Sequence, residues 1–362
     1  MIAAGRLLVV IPSPGFGGAE RQTAQVVRGL LLSGLRVTVA AEAAVLAAAG
    51  EAFGAAAQVP LALHQDSERL VAEAMARQAA ALRPLLRAAP PEAALVCCPL
   101  PTAAFGALEA LSTARVPTLA LAHLARGDWH TSAAERAAAA ALRVGWAAIS
   151  EVTARRLEAM LGLPRGRVAA VPNGLPPASL AARDRARFGL PEGVPVIVQV
   201  GRLDHRKGAG LAPALAARIA PGIVALAGEG PLAPLLGAAP GVRLLGHVTD
   251  VPALLAAADA LLMATEHEGG VPLALQEAAR AGLPILATRQ ALEAWPAPEA
   301  VARIVPREAG AIAAAFAALR ADPAGTAARV AAARAAIAAW DEDAMVARTA
   351  QLLAAELAAC AA

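Results

Sequence analysis

Short apolar runs alternate with longer segments of helical spacing along the whole chain. A run of four to eight apolar residues, followed by a glycine- or proline-containing turn, is typical of a buried strand. This pattern predicts strands at Leu7–Ile11, Val37–Ala40, Ala94–Val96, Val116–Leu121, Trp146–Ile149 and Val168–Val171, and again at Val196–Val200, Ile223–Ala227, Val242–Leu245, Ala260–Met263 and Pro284–Ala287. Because strands and helices alternate in both halves, we expect the α/β class with two doubly wound parallel sheets.

The chain length also favours two domains. Its 362 residues exceed what one typical hydrophobic core holds. A loop-like stretch, proline-rich at its start and charged later, covers residues 175–190 and marks the boundary. We therefore predict a first domain at 1–178, a second at 179–338, and a terminal helix at 339–362.

The stretch Ala264–Gly282 joins a glycine-containing loop to a short helix. Pro272 suits the first helical position, because the N–H there would be unpaired anyway, and Gly282 suits the left-handed cap. The free N–H groups and positive dipole end of such a helix bind anions. Glu268 and Glu277 flank this point, and carboxylates bind hydroxyls rather than phosphate. Phosphate and hydroxyls together indicate a nucleotide sugar, although an ordinary strand–loop–helix crossover explains the stretch as well.

Composition excludes several classes of protein. Hydrophobic residues make up 58% of the chain, but no run of 18 uninterrupted apolar residues occurs, so we expect no transmembrane helix. The N-terminus lacks a signal-peptide cleavage pattern. Three cysteines, two of them adjacent, give neither a disulfide framework nor zinc-ligand spacing, which fits a reducing cytoplasm. A net charge of +3 is too small to indicate nucleic acid binding.

Two other charged segments have ordinary explanations. The helix predicted at Ser67–Ala89 carries four arginines, for which a solvated face is favoured over membrane contact. The acidic run Asp341–Asp343 resembles a metal-binding motif. However, it lies at the start of a terminal helix, where the positive end of the helix dipole stabilises carboxylates. We therefore expect no metal site there or elsewhere.

Lys207 is the only lysine in a chain with 32 basic residues. The composition favours arginine, so a position that keeps the compact ammonium group is a candidate for a site that needs a point charge. Survival by chance is the alternative. Lys207 lies in the loop 201–208, which follows a predicted strand and also contains Arg202.

Two further strand ends carry candidate residues. The turn at 13–18 contains Gly15 and Gly17, but Glu20 occupies the place of the third glycine in a dinucleotide fingerprint, and no P-loop lysine follows. It remains a glycine turn at a strand end, where parallel sheets bind ligands. His123 also follows a strand, and it is either a ligand-edge histidine or a structural one.

Taken together, these motifs resemble a known family, the retaining glycosyltransferases of the GT-B fold, often called family 4 or group 1. The resemblance rests on the order and spacing of several segments. They are GFGGAER, WAAISEVTARRL, VPNGL, VQVGRLDHRKG, ALAGEGPL, VRLLGHVTDVPALLAAADALLMATEHEGGVPLALQEAARAGLPILAT and AAWDEDAMVARTAQLL. It implies two Rossmann-like domains that face each other across a cleft, with the last helix crossing back to the first domain.

The resemblance also implies roles for residues on both sides of that cleft. Gly17 and Gly18 would form the turn that approaches the transferred sugar or its phosphate. His123 would lie at the edge of the acceptor domain, near the reacting face of the sugar. Arg202 and Lys207 would hold the diphosphate and stabilise its growing negative charge as it leaves.

The remaining implied contacts are with the donor. Glu268 would contact sugar hydroxyls, Glu277 would hold the ribose, and Val248 would lie where the base is bound. The family's two glutamates are usually eight positions apart, whereas Glu268 and Glu277 are nine apart, with Gln276 at the eighth. An extra loop residue would absorb this difference. The segment that carries the helix N-terminus would add donor contacts through Gly269, Gly270, Val271, Pro272 and Leu273.

The function we expect is transfer of a sugar from a nucleotide-diphosphate donor to an acceptor hydroxyl, with retention and without a metal cofactor. The acceptor would be a glycan or lipid-linked molecule in bacterial envelope or exopolysaccharide synthesis, and the enzyme would be cytoplasmic, with peripheral contact at the inner membrane. Two alternatives stay open. They are a nucleotide-sugar 2-epimerase of the same fold and a non-catalytic nucleotide-sugar-binding subunit.

Overall fold

The structure is a computed structural model that describes residues 5–65, 71–177 and 181–361. The chain divides into two compact units. Unit 1 comprises Met1–Pro176 together with Trp340–Ala362, and unit 2 comprises Pro177–Ala339. Each unit contains one parallel sheet with helices between its strands, so the predicted α/β class is confirmed.

Unit 1 contains a seven-stranded sheet in the order β3-β2-β1-β4-β5-β6-β7. All its neighbouring strands pair in parallel. The strands are β1 Arg6–Ile11, β2 Arg36–Ala41, β3 Ala57–Pro60, β4 Ala93–Cys98, β5 Thr118–Ala122, β6 Gly145–Ala148 and β7 Val168–Ala170. The helices are α1 Gly18–Leu32, α2 Ala43–Ala49, α3 Ala72–Ala88, α4 Phe105–Thr113, α5 Ala133–Ala141 and α6 Glu151–Leu161.

The sheet of unit 1 is buried on both faces. In β1, Leu8 and Val10 pack into one apolar layer, while Leu7, Val9 and Ile11 pack into the layer on the opposite face. Successive side chains of a strand point to opposite faces, so a strand between two helix layers must be apolar throughout. This explains why the sequence shows short continuous apolar runs.

Unit 2 contains a six-stranded parallel sheet in the order β10-β9-β8-β11-β12-β13. Its strands are β8 Val196–Val200, β9 Ile223–Ala227, β10 Val242–Gly246, β11 Ala260–Met263, β12 Ile285–Ala287 and β13 Arg303–Ile304. Its helices are α7 Ala212–Ile219, α8 Ala233–Leu236, α9 Val251–Ala257, α10 Leu273–Ala281, α11 Pro298–Val301, α12 Ala309–Ala321 and α13 Pro323–Ile337.

The terminal helix, α14 at Glu342–Ala361, belongs to unit 1. The backbone N–H of Leu175 donates to Trp340 O, and the N–H of Glu342 donates to Leu175 O, both at 3.1 Å. A Cβ added at Gly174 would lie 2.0 Å from Asp341 O, so only glycine allows the two backbones to approach this closely. The end of the chain is therefore fixed against the segment that follows β7.

Several local predictions differ from the structure. The edge strands β3 and β13 were not predicted, because β3 is mostly exposed and β13 has only two residues, so neither gives an apolar run. Helices α2, α4 and α5 and the short helices α8 and α11 were also not predicted. The helix expected at Ser67–Ala89 begins at Ala72, and residues 67–70 of that prediction lie outside the described residues.

The helix predicted after the 264–272 loop is present, with one correction at its start. Gly282 takes the left-handed cap with φ 76°, as expected. Pro272 has φ −56° and ψ 139°, so it is the N-cap residue and the helix begins at Leu273. The prediction that Pro272 is the first helical residue was wrong, because the backbone is still extended at this position.

Across the described ranges, none of the helices is both long enough and apolar enough to span a membrane.

The close approach at Gly174 gives a stability prediction. We expect Gly174→Ala to lower the free energy of unfolding by about 1–3 kcal/mol, because the added methyl group must displace backbone atoms rather than a flexible side chain. Urea denaturation checks this. Gly127→Ala is the matched control, since its added Cβ would lie 3.7 Å from Arg156 Nε, an ordinary contact. Equal losses in the two variants would contradict the prediction.

Candidate functional site

The candidate site of unit 2 lies at the carboxyl ends of its strands. Strands β9 and β10 follow β8 on one side of the sheet. The chain then crosses back, and β11 lies on the other side of β8. Parallel sheets bind ligands outside such a reversal point. The loops that follow β8 and β11 contain Lys207 and Glu268, so the topology brings these two predicted residues to the reversal point.

The side chains of Lys207 and Glu268 meet there. Lys207 Nζ donates to Glu268 Oε1, across 61 residues of sequence. The lysine side chain is 33% exposed and the glutamate 14%, so the pair is partly shielded from water. A partly buried ammonium group at a sheet edge can bind an anionic ligand, and the carboxylate beside it can accept hydrogen bonds from hydroxyls.

Asp204 organises the loop after β8. Its Oδ1 accepts a hydrogen bond of 2.8 Å from the backbone N–H of Lys207, and its Oδ2 lies 3.2 Å from Nε of Arg202. Arg202 is 70% exposed, so the structure places it in the same loop as Lys207 but with a different carboxylate partner. Asp204 therefore connects both predicted cations.

The role of Asp204 was not predicted from the sequence. A signal was present, because an aspartate three residues before a turn residue commonly accepts the backbone N–H of that residue. Its contact with Arg202 could not be inferred, since that contact depends on the side-chain direction of an exposed arginine.

Glycines let the loops of this edge pack backbone against backbone. Gly208 has φ 78°, and a Cβ there would lie 2.5 Å from Ala264 O. A Cβ at Gly228 would lie 2.0 Å from Gly201 O, and one at Gly230 would lie 2.5 Å from Leu203 O. Side chains at these positions would push the loops apart, so the site depends on these glycines.

The segment before α10 lies at the same edge. Gly269 and Gly270 are buried, as are Val271 and Leu273, and Pro272 is partly buried. Because proline has no backbone N–H, Pro272 contributes no amide to an anion site, and only its neighbours can do so. The structure thus keeps the predicted segment together, and the backbone N–H groups in it come from the residues beside Pro272.

Glu277 is the fifth residue of α10 and is 3% exposed. It lies on the helix, as the sequence predicted, while Glu268 lies in the preceding loop. Val248 lies two residues beyond β10, at the far side of the same edge, and is partly buried. The backbone N–H of Gly228 donates to Gly246 O at 2.7 Å, which links the loop after β9 to the end of β10.

Unit 1 has its own reversal point, between β1 and β4. Gly17 is the N-cap residue of α1 and Gly18 is the first residue of that helix, so only Gly17 lies in the turn after β1; both glycines are exposed. The N–H of Gly17 donates to Glu20 Oε2 at 2.7 Å, so Glu20 caps α1 at the position where a dinucleotide fingerprint has glycine. A Cβ at Gly18 would meet no described atom within 4 Å, so packing within the protein does not require glycine there.

His123 follows β5 at the same edge of unit 1. It is buried, its backbone N–H donates to the backbone oxygen of Cys98 at 2.9 Å, and its ring Nε2 has no hydrogen-bond partner among the described residues. Burial lowers the pKa of His123 to about 4. The imidazole is therefore neutral near pH 7 and is a weak proton acceptor there.

Within residues 5–65, 71–177 and 181–361, no three His, Cys, Asp or Glu side chains are grouped so that they could hold a metal ion. In the acidic run 341–343, Asp341 Oδ1 accepts the N–H of Ala344 at 2.7 Å and caps the start of α14.

Two family models match the chain. The model described as Glycosyltransferase Family 4 matches residues 16–179, and the model described as Glycosyl transferases group 1 matches residues 194–322. The two matches follow each other along the chain and cover the greater part of it. No curated protein matches this sequence.

Solved structures resemble the whole chain. HepE (Alr3699) of Anabaena, in complex with UDP and glucose, has a TM-score of 0.78 at 16% identity, covering 97% of this chain and 99% of that one. Sucrose-phosphate synthase of Thermosynechococcus elongatus has a TM-score of 0.76 at 18% identity, covering 98% of this chain and 100% of that one. WaaG, a glycosyltransferase involved in lipopolysaccharide biosynthesis, has a TM-score of 0.71 at 17% identity, covering 96% of this chain and 99% of that one. At these identities the likeness shows the fold, two Rossmann-like domains.

The buried His123 gives a pH prediction. The folded protein keeps His123 neutral down to about pH 4, whereas the unfolded chain takes up the proton below about pH 6.5. Its neutral burial therefore favours folding above pH 6.5, and this contribution is lost as the pH falls from 6.5 to 4. The unfolding free energy of the wild type minus that of His123→Gln should shrink by roughly 2–3 kcal/mol between pH 7.5 and 4.5.

Urea unfolding at the two pH values measures this difference, and all other titrating groups cancel between the two proteins. A difference that is the same at both pH values would show that His123 titrates normally in the folded state.

Proposed function

Because the chain belongs to the group 1 glycosyltransferases of the GT-B fold, we propose that it transfers a sugar, with retention at the anomeric carbon, from a nucleoside diphosphate to an acceptor hydroxyl. Three features support this. They are the Lys207–Glu268 pair at the reversal point of unit 2, the buried Glu277 on α10, and the HepE neighbour, whose complexes contain UDP, glucose and UDP-glucose.

Lys207 carries most of the proposed chemistry. The bond between the anomeric carbon and the diphosphate oxygen breaks, and the electron pair stays with the diphosphate. The acceptor oxygen forms the new bond on the same face, and its proton passes to the departing diphosphate. Negative charge on the diphosphate is greatest as it leaves, so a fixed ammonium group stabilises the transition state more than the bound donor.

His123 is not the base in this proposal. Its pKa of about 4 makes it a weak proton acceptor at neutral pH. Its role would be a neutral hydrogen bond from Nε2 to the sugar. Glu268 would accept hydrogen bonds from the sugar hydroxyls, and Glu277 would accept them from the ribose hydroxyls. Arg202 would add positive charge beside the diphosphate, and Val248 would contact the base. Gly17 and Gly18 would approach the sugar.

The acceptor we propose is a glycan or a lipid-linked molecule of the bacterial envelope, with peripheral contact at the inner membrane. Support comes from WaaG, whose role is in lipopolysaccharide biosynthesis. We also propose that transfer needs no metal, because Lys207 and Arg202 supply the positive charge that a divalent ion would otherwise bring to the diphosphate.

The single observation that carries the proposal is the placement of the chain's one lysine against a carboxylate at the reversal point. We expect Lys207→Ala to lower kcat/KM about 10²–10³-fold, as does removal of other groups that stabilise a developing oxyanion. Donor turnover with an acceptor panel measures this, after thermal shift with UDP, GDP and ADP sugars has identified the donor.

The matched control is Arg289→Ala. Arg289 also forms an ion pair, with Glu299, but it is 62% exposed. It should keep near-native turnover. Near-native turnover in Lys207→Ala would overturn the mechanism. An epimerised donor formed without acceptor would instead indicate a 2-epimerase, and binding without turnover over the panel would indicate a binding subunit.

Glu268→Gln should affect sugar and diphosphate in opposite ways. Removing the carboxylate frees Lys207 and takes a negative charge from the anion site, so the free nucleoside diphosphate should bind several-fold more tightly. The sugar donor should bind less tightly, because an acceptor of its hydroxyl hydrogen bonds is weakened. Calorimetric titration of both ligands checks this, and weaker binding of both would contradict the assignment of Glu268.

A further inference from the structure

Arg307 connects the two loops that carry Lys207 and Glu268. It follows β13, which is two strands away from β11, a distance of roughly 10 Å at the usual strand spacing. Its Nε donates to Ala264 O at 2.9 Å, and its Nη1 donates to Glu266 Oε1 at 2.7 Å. Its Nη2 donates to the backbone oxygen of His205. One guanidinium group thus holds both loops at the reversal point.

These contacts lie next to the reactive pair. His205 is two residues from Lys207, and Ala264 and Glu266 are four and two residues from Glu268. The loops also meet through the Lys207–Glu268 pair, through the backbone N–H of Glu266, which donates to Arg206 O at 2.9 Å, and through the close approach at Gly208. Without the guanidinium, one carboxylate and two backbone oxygens of this edge would each lose a charge-assisted hydrogen bond.

We infer that Arg307 is a positioning residue for the donor diphosphate. It fixes the loop after β8 against the loop after β11, and so sets where the ammonium group of Lys207 lies. All three nitrogens of its guanidinium donate to protein oxygens, and the side chain is only 32% exposed. It therefore acts through Lys207. This inference rests on the proposed function.

A lysine cannot replace Arg307 in this role. The three acceptors surround the guanidinium, whose planar fork offers separate donors in fixed directions, whereas an ammonium group is a single point. Arg307→Lys should therefore behave nearly like Arg307→Ala, although it keeps the charge. If Arg307 contributed only its positive charge, Arg307→Lys would instead keep the binding of the diphosphate.

The test is a double-mutant cycle on binding of the nucleoside diphosphate that raises the melting temperature most. Calorimetric Kd values are measured for the wild type, Arg307→Ala, Lys207→Ala and the double variant. We expect Arg307→Ala to weaken binding about tenfold in the wild type and less than twofold in Lys207→Ala, because residues that act as one unit are non-additive. The exposed Arg289→Ala should leave all values unchanged.

A tenfold loss in both backgrounds would overturn the inference, since Arg307 would then act independently of Lys207. So would rescue by Arg307→Lys. If Arg307→Ala does not fold, Glu266→Ala removes only the Nη1 contact and should show the same dependence on Lys207, with a smaller loss. This cycle does not use turnover, so coupling without any transfer product would sink the proposed function and leave the role of Arg307 standing.

Discussion

The closeness of two backbones, at Gly208 and Ala264, is the constraint on which the candidate site depends. A Cβ at Gly208 would lie 2.5 Å from Ala264 O, so only glycine, here at φ 78°, lets the loop after β8 touch the end of β11. The one lysine of the chain immediately precedes this glycine. The distance between Lys207 and the loop after β11 is therefore set by this backbone contact together with the hydrogen bonds of Arg307 to both loops.

The electrostatics of the site follow from this closeness. Lys207 pairs with Glu268, and Asp204 holds the backbone of Lys207 and the guanidinium of Arg202. Each cation thus has an acidic partner within unit 2. An anionic ligand must compete with a carboxylate for Lys207, which makes the site responsive to how strongly charged the ligand is. In the proposed transfer, the negative charge of the leaving diphosphate would grow as the bond breaks, so the diphosphate would compete best at that moment.

Local features of the sequence predicted the parts of the fold that local physics determines. The strand Val196–Val200 and the left-handed Gly282 were predicted from a few neighbouring residues and match the structure. The edge strands were missed because exposed strands carry no apolar run, and Pro272 was placed one position too far into its helix. Both errors concern positions where packing, rather than propensity, decides.

The residues of the candidate site could be predicted from the sequence, but the contacts between their side chains could not. Parallel topology implies that strand ends share one edge, so Lys207 and Glu268 could be expected near each other. Their direct contact spans 61 residues, and the contact of Arg307 with His205 spans 102. No periodicity encodes such pairings. Arg307 in particular follows a two-residue strand that gave no signal at all.

The central claim is that Lys207 acts on the departing diphosphate rather than on the bound donor alone. The most direct measurement compares two losses caused by Lys207→Ala, that in kcat/KM for transfer and that in affinity for the intact nucleotide sugar. We predict that the loss in kcat/KM exceeds the loss in affinity by about tenfold or more, because charge develops in the transition state. Equal losses would mean that Lys207 only binds the donor, and would contradict the account.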